Sequence, residues 1–231
     1  MSGTLSQPEH SAAAAIQRWY APAVLANQLT FAQRWRRPFL AYNLFIRASP
    51  AGAAALSAVQ DQVTALEPAL LRTPESALHT TAAFILPGSA EFDCPKDELW
   101  HRHGSRWLAQ LADLAAATPR FSLSFRRLVI TDHAIIAVAD EPNGLSAFRR
   151  RLLTVMDVPG NSHSYDLVHT TIFRFSTPLR DPAALLEWVT GADLNAEFDV
   201  SELVVAREHT FPFLGYDVLR RLVLPEASLA S

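Results

Sequence analysis

Cysteine and lysine are scarce in this sequence, and a long basic run is missing. Among 231 residues Cys94 is the only cysteine, which excludes an intrachain disulfide and a cysteine-based zinc site in this chain. Lys96 is the only lysine among 20 basic residues; the others are arginines, whose planar guanidinium suits bidentate recognition of phosphate. With a formal net charge of −3, broad binding to duplex DNA is not expected. A small nucleotide or a single RNA end is compatible with this charge.

Long hydrophobic runs are also missing. No stretch approaches the ~18 consecutive apolar residues of a membrane-spanning helix, and residues 1–7 lack the basic start and apolar core of a signal peptide. We therefore expect a cytoplasmic protein that does not enter a membrane. No G-x-S-x-G motif occurs, which disfavours a serine hydrolase of that type. Hydrophobic residues make up 49% of the chain, enough for the core of one large domain or two closely packed lobes.

The beginning of the chain is predicted to be a separate extension. The pattern predicts a helix over residues 12–20 and a second helix from Pro22 to about Trp35. We therefore divide the chain into 1–37, a tail with a helical extension, and 38–226, the main domain.

The main domain mixes helices and strands. Helical spacing, capping residues and prolines predict helices at 50–67, 96–117, 143–156 and 182–190, and runs of β-branched and aromatic residues predict strands at 39–48, 78–86, 121–130, 134–139, 168–175, 195–207 and 214–224. Because hairpins recur, this order favours an α+β fold with antiparallel sheet over a doubly wound parallel sheet. We predict a bilobal, pseudo-symmetric arrangement in which antiparallel sheets, flanked by helices, face each other across a cleft.

A His-x-Thr pattern occurs twice, each time in a predicted strand. His79 and Thr81 form the first motif, and His169 and Thr171 form the second, 90 residues later (169 − 79). Side chains alternate along a strand, so each histidine shares a face with its threonine. Two imidazoles can share one reaction, one taking a proton and the other giving it, while hydroxyl groups hold an anionic oxygen between them. Two histidines are too few for a usual zinc site, and no metal is required for this chemistry.

The two motifs and their spacing resemble those of the two-histidine (2H) phosphoesterase superfamily, which includes LigT-like 2′-5′ RNA ligases and 2′,3′-cyclic nucleotide phosphodiesterases. Residues 78–84 are similar to the first motif of LigT-like proteins, and Arg174 follows His169 at the distance where that group often has an arginine. The resemblance implies a bilobal antiparallel fold and metal-independent phosphodiester chemistry without a cofactor. This chain differs from the usual form of the family at the N-terminus, where about 37 residues precede the first strand.

The resemblance also implies roles for the motif residues. His169 would take a proton from water and His79 would protonate the leaving ribose oxygen, with the roles exchanged in the reverse, ligation-like direction. Thr81 and Thr171 would hold phosphate oxygens. The expected substrate is a 2′,3′-cyclic phosphate, or a 2′-5′ phosphodiester, of a small nucleotide or RNA end.

Several other side chains have both a structural and a functional interpretation. Core packing is the default for four aromatic residues, with stacking on a base as the alternative: Tyr42, Tyr165, Phe211 and Phe213. Solvent exposure is the default for two basic groups, with an RNA-binding track as the alternative: 149–151 and 126–127. His101 and His103 resemble a metal-binding pair, but residues two apart on a helix do not face each other.

Two rival functions remain open at this point. The fold could hold a nucleotide or RNA end without turning it over, or it could serve as a scaffold whose N-terminal helices mediate assembly. The extension could equally cover the cleft or dock on the back of the sheet. The sequence leaves the base of the substrate and the oligomeric state undetermined.

Overall fold

A computed structural model describes residues 12–140, 143–156 and 167–226. Within them the helices are α1 (Ala12–Leu25), α2 (Pro50–Leu66), α3 (Lys96–Ala116), α4 (Gly144–Val155) and α5 (Pro182–Gly191). The strands are β1 (Pro38–Arg47), β2 (Leu71–Arg72), β3 (His79–Leu86), β4 (Phe121–Ile130), β5 (Ala134–Ala139), β6 (His169–Arg174), β7 (Ala196–Val200), β8 (Glu202–Thr210) and β9 (Gly215–Val223).

Short polar side chains begin three of the helices. The Ser49 hydroxyl accepts a hydrogen bond from the backbone N–H of Gly52 at the start of α2, at 3.3 Å. The Asp181 carboxylate accepts one from the N–H of Ala184 in α5, at 2.9 Å, and Asn143 caps α4 in the same way. Each cap satisfies a backbone donor that has no partner inside its helix, so these helix starts are encoded locally.

The strands form one curled antiparallel sheet in the order β7-β4-β5-β6-β3-β1-β8-β9, with β2 paired to β6. Its two four-stranded halves meet at β3 and β6, the strands that carry the two motifs. A single residue pair, Thr80 with Thr170, joins them in the described residues. The expectation of an antiparallel α+β fold in two related halves is confirmed.

The pair that joins the halves also orients the motifs. The hydroxyl groups of Thr80 and Thr170 are hydrogen-bonded at 2.8 Å, and both residues are fully buried. The strands are antiparallel, so one residue to either side of this pair His79 lies opposite Thr171 and Thr81 lies opposite His169. Alternation then directs all four motif side chains to the sheet face opposite the joining threonines.

The two faces of the sheet are covered differently. Apolar residues of α2, α3, α4 and α5 pack with one face in a large continuous core. On the other face, Ala13 and Ile16 of α1 pack against β4 and β5 in a smaller cluster with Val129, Ile136 and Val138. Ile136 pairs with Thr171 across β5 and β6, so the first turns of α1 lie on the face that carries the motifs. The extension therefore docks beside the motif strands and not on the back of the sheet.

The predicted second helix of the extension is wrong. Helix α1 continues through Pro22 to Leu25. Two residues after its end lies Asn27, whose backbone adopts the left-handed conformation (φ 55°) and whose side chain hydrogen-bonds both backbone groups of Leu179. From there to Arg37 the chain is irregular backbone and turns, and three of its backbone N–H groups, those of Thr30, Ala32 and Arg36, donate to distant loops.

The single strand predicted over 195–207 is two strands. The chain breaks at Ser201: β7 pairs with β4 at one end of the sheet, and β8 pairs with β1 in the other half. Both segments are typical strand sequences, and only Ser201 separates them, so their pattern does not reveal that they join opposite halves of the sheet.

Candidate active site

A cavity of about 830 Å³ opens on the motif face of the sheet. The structure brings six of the sequence-predicted site residues to its wall: His79, Thr81, His169, Thr171, Arg174 and Phe213. The remainder of the wall comes mainly from the end of β3 with its following loop, from the loop after β8, and from three charged side chains, Arg34, Arg149 and Glu208. Its volume falls in the range of ordinary small-molecule sites.

The imidazole of His79 is oriented by its own strand. Its Nδ1 lies 2.8 Å from the carbonyl oxygen of Ala77, so Nδ1 carries the proton and Nε2 is the free ring nitrogen. Burial lowers the pKa of His79 to about 4; the bond to Ala77 opposes this shift, and the positive charge of Arg174 adds to it. His79 is therefore neutral at pH 7 in the absence of an anion.

The imidazole of His169 has a different environment. Burial is the main cause that lowers the pKa of His169 to about 4, followed by the charges of Arg149 and His79. The carbonyl of Leu167, two residues earlier, opposes the shift, yet Nδ1 of His169 makes no well-formed hydrogen bond within the described residues. That carbonyl accepts instead from Arg149, at 3.1 Å. The two histidines are thus related in position but not in protonation environment.

Arg149 of α4 is buried between the two motif strands and is not the solvent-exposed residue that its basic triplet suggested. Its guanidinium donates to the carbonyl oxygens of Thr81 (2.5 Å) and Ala82 (3.1 Å) on one strand and to Leu167 before the other. It fills the gap that opens beyond the single pair joining β3 and β6. The spacing of Arg149 with Leu145 and Leu152, both on the buried helix face, was the sequence signal for this position.

Besides Nδ1 of His169, two polar groups in the cavity wall have no hydrogen-bond partner among the described residues. They are Nε of Arg174 and the hydroxyl of Thr73, whose residue is only 3% exposed. Buried polar groups are normally paired, so an unpaired donor in a cavity wall is available to a ligand. The Arg174 guanidinium lies 5.0 Å from the ring centroid of Phe211, which fixes it against the loop after β8.

The loop after β8 forms the wall beside His79. The ring of Phe213 lies 3.9 Å from the His79 ring, centroid to centroid. Phe213 has a left-handed backbone (φ 54°), and its N–H donates to Oε1 of Glu208 at 2.8 Å, while Oε2 of Glu208 accepts from Asn43 at 3.1 Å. Burial raises the pKa of Glu208 to about 7 against these bonds. Glu208 thereby holds a strained loop in place against an imidazole.

The charges around the cavity favour an anion. The wall contains three arginines, Arg34, Arg149 and Arg174. It contains one carboxyl group, that of Glu208, which is partly protonated near neutral pH. Positive side chains in a cavity with buried walls attract phosphate more strongly than they would in open solvent. No group of three or more His, Cys, Asp or Glu side chains that could hold a metal occurs in the described part of the chain.

Tyr42 does not belong to this cavity. Alternation along β1 places it on the helix-covered face, where its ring stacks on Trp100 at 4.4 Å and its hydroxyl donates to Asp97 at 2.6 Å. Burial raises the pKa of Tyr42 to about 12. Its predicted role as a substrate contact is therefore wrong. Tyr165 lies outside the described residues, as does the rest of the loop that precedes the second motif.

Other features of the described residues point away from the cavity. His103 packs against Trp107 on α3, and His209 bonds the neighbouring Thr210 on the surface. A more open depression of about 510 Å³ lies between α2 and α5, far in sequence from both motifs. Among the described residues no helix is long and apolar enough to cross a bilayer.

The protonation of the two imidazoles can be measured directly. We expect His79 and His169 to titrate with midpoints near pH 4, because burial disfavours their charged forms. Inorganic phosphate should raise at least one midpoint, since a nearby anion favours imidazolium. Histidine NMR signals followed against pH, and assigned with His79→Ala and His169→Ala, test this. Midpoints near the ordinary value of ~6.5 would contradict it.

The antiparallel α+β fold of this chain is shared with solved structures. TT0787 of Thermus thermophilus matches with a TM-score of 0.57 and 21% identity, over 80% of this chain and 98% of that chain. Escherichia coli LigT complexed with 3′-AMP matches with a TM-score of 0.53 and 15% identity, over 81% and 98%. A structure described as a phosphoesterase matches with a TM-score of 0.53 and 18% identity, over 82% and 100%.

These matches show that the chain has a LigT-like fold, and the fold expected from the resemblance is confirmed. No protein-family model and no curated protein matches the sequence.

Proposed function

We propose that this protein is a two-histidine phosphoesterase that hydrolyses a 2′,3′-cyclic phosphate, or a 2′-5′ phosphodiester, of a nucleotide or RNA end without a metal. The observation that carries the proposal is the placement of both His-x-Thr motifs in one cavity with an arginine-rich wall. E. coli LigT, which has the same fold, has been crystallised with 3′-AMP, phosphate and ATP, all of which carry phosphate. Residues 38–226 would form the catalytic domain and 1–37 its extension.

The environments of the histidines support distinct roles. Burial, followed by the charge of Arg149, keeps His169 unprotonated at neutral pH, so His169 is free to act as the base that takes a proton from the attacking water. The anionic phosphate of the substrate favours the imidazolium form of His79, whose Nδ1–H donates to the Ala77 carbonyl, so His79 is the acid that protonates the departing ribose oxygen. One P–O bond forms to water as one P–O bond to ribose breaks. Exchange with solvent then returns the proton from His169 to His79.

The remaining wall groups act on the phosphate. The hydroxyls of Thr81 and Thr171 donate to its non-bridging oxygens, and the free Nε–H of Arg174 adds a charged donor. Donors held in place by strands need little reorganisation as charge develops in the transition state, which is the main source of their effect. Cleavage of a 2′-5′ phosphodiester by its neighbouring 3′-hydroxyl forms a 2′,3′-cyclic phosphate and releases a 5′-hydroxyl. In the reverse of that step a 5′-hydroxyl attacks the cyclic phosphate, one P–O bond of the ring breaks, and the two histidine roles are exchanged.

A direct assay tests the proposal. The protein is purified with EDTA and offered nucleoside 2′,3′-cyclic phosphates and 2′-5′-linked oligonucleotides. We expect turnover of at least one class without added metal. Turnover that requires metal would contradict the proposal, and tight binding without any product would favour a non-catalytic nucleotide-binding module.

A further inference from the structure

The segment between α1 and β1, residues 26–37, crosses from one half of the sheet to the other. We call it the strap. Its first part donates hydrogen bonds from Thr30 to the β4–β5 turn (2.7 Å) and from Ala32 to the chain after β6 (2.8 Å). Its last part makes two backbone hydrogen bonds with Phe211 in the loop after β8. The N–H of Arg36 donates to the carbonyl of Phe211 (2.9 Å), and the N–H of Phe211 donates to the carbonyl of Arg37 (3.1 Å). The strap is therefore fixed at both ends.

Between these anchor points the strap presents Arg34 to the cavity. The Arg34 guanidinium lies 6.0 Å from the centroid of the Phe39 ring, and that ring lies 5.1 Å from Phe211, which in turn lies 5.0 Å from the Arg174 guanidinium. The four side chains form a row with a cation at each end and two aromatic rings between them. Arg174 acts on the pKa of both motif histidines, so the row leads away from the reacting phosphate towards the strap.

Arg34 makes no ion pair in the described residues, and its side chain is exposed. An arginine that only keeps the surface soluble does not require a backbone tied to both halves of the protein. Here the fixed backbone lowers the entropy that binding would cost. The Phe39 ring is itself held against Gly88 in the loop after β3, where even a Cβ atom would meet it at 1.9 Å. The row is thus rigid at the ring that supports Arg34.

We propose that Arg34 forms a second phosphate subsite, so that the preferred substrate carries another phosphate besides the one that reacts. This rests on the proposed function of the two histidines. Arg34 binds the second phosphate, while Phe39 and Phe211 flank the ribose or base that separates the two phosphates. A preceding phosphodiester of an RNA end and a 5′-phosphate of a nucleotide offer the same chemistry. The strap makes this subsite a property of the extension and not of the two motifs.

Three substrates test the subsite: adenosine 2′,3′-cyclic phosphate, the same compound with a 5′-phosphate, and a dinucleotide that ends in a 2′,3′-cyclic phosphate. We expect the wild type to prefer the latter two by about fivefold in kcat/KM, the size of an exposed charge interaction. Arg34→Gln should abolish the preference by raising KM for the two substrates that carry a second phosphate, and Arg34→Lys should retain part of it. A preference for the dinucleotide alone would identify the phosphodiester as the second phosphate.

Arg37→Gln is the matched control, because Arg37 is an exposed arginine of the same strap and lies outside the cavity wall. It should keep the preference, and about 0.5 M salt should weaken it in the wild type. Equal kcat/KM for all three substrates, or a preference that survives Arg34→Gln, would overturn the subsite.

If no substrate is turned over, the proposed function fails, and the subsite is tested by binding alone. Adenosine 3′,5′-bisphosphate should then bind more tightly than adenosine 3′-phosphate in the wild type and equally in Arg34→Gln. Equal binding of the two compounds to the wild type would overturn the subsite.

Discussion

Replacing either His79 or His169 with alanine is expected to lower kcat for cyclic-phosphate hydrolysis by about 10²–10⁴-fold, the usual contribution of a positioned acid or base. Both imidazoles lie in the same cavity wall, and each has a free nitrogen for proton transfer. The double variant should lose much less than the product of the two single losses, because the histidines act as a unit. Steady-state kinetics with EDTA present provide the measurement.

The two single variants should differ on a substrate whose leaving group needs no proton. With a nucleoside p-nitrophenyl phosphodiester, His79→Ala should retain most of the wild-type rate, because the acid is no longer required. His169→Ala should still be slow, since water must be activated in either case. The opposite pattern would exchange the roles of acid and base.

His209→Ala and His133→Ala are the controls for these experiments. His209 is exposed beside the loop after β8, and His133 lies in the β4–β5 turn next to Asp132. Neither lines the cavity, so both variants should keep wild-type kcat. Activity that survives the loss of both motif histidines would exclude paired acid–base catalysis at this site.

Arg149→Met is expected to lower the free energy of unfolding by about 3 kcal/mol, because three carbonyl oxygens, one of them buried and two partly buried, lose a charged donor. Methionine keeps the apolar length of the side chain and removes only the guanidinium. For a chain of this size the change corresponds to a Tm lower by about 10 °C. Thermal and denaturant unfolding provide the measurement.

Arg150→Met is the matched control, because Arg150 is the exposed neighbour on the same helix. It should change stability by no more than about 0.5 kcal/mol. Arg149→Lys should recover only part of the loss, since one ammonium group cannot bond three carbonyls on two strands as the guanidinium does. In Arg149→Met the pKa of His169 should rise, because a positive charge beside it is removed. An unchanged Tm in Arg149→Met would contradict the bridging role.

Much of the secondary structure could be predicted because its causes are local. Ser49, Asn143 and Asp181 mark helix starts through their own hydrogen bonds, and the hairpin of β4 and β5 begins and ends where the apolar pattern does. The helix predicted after Pro22 was wrong because several backbone hydrogen bonds of this segment go to residues far away in the sequence, such as Phe175 and Phe211. The same limitation hid the break at Ser201, where two similar strands join different halves of the sheet.

The site residues divide in the same way. Each His-x-Thr motif fixes by alternation which side chains share a face, so His79 with Thr81 and His169 with Thr171 were accessible from the sequence. For Tyr42 the default of core packing is what the structure shows, and the alternative role as a substrate contact was wrong. Its position along β1 places it under α3, but the sequence does not say which face of β1 the helices cover. Arg149 and Glu208 were missed because a buried charged group is recognised only through its distant partners.

The sequence by itself determined the two motifs, their strands and the type of chemistry they favour, because residue identity and alternation are properties of a short stretch of chain. Only the tertiary structure decided that the motifs cross at a single threonine pair, that Arg149 and Phe213 give the two imidazoles different surroundings, and that the strap brings Arg34 to the cavity. These outcomes depend on contacts between residues far apart in the chain, such as Arg36 and Phe211, and such contacts form only when the halves of the sheet close on each other.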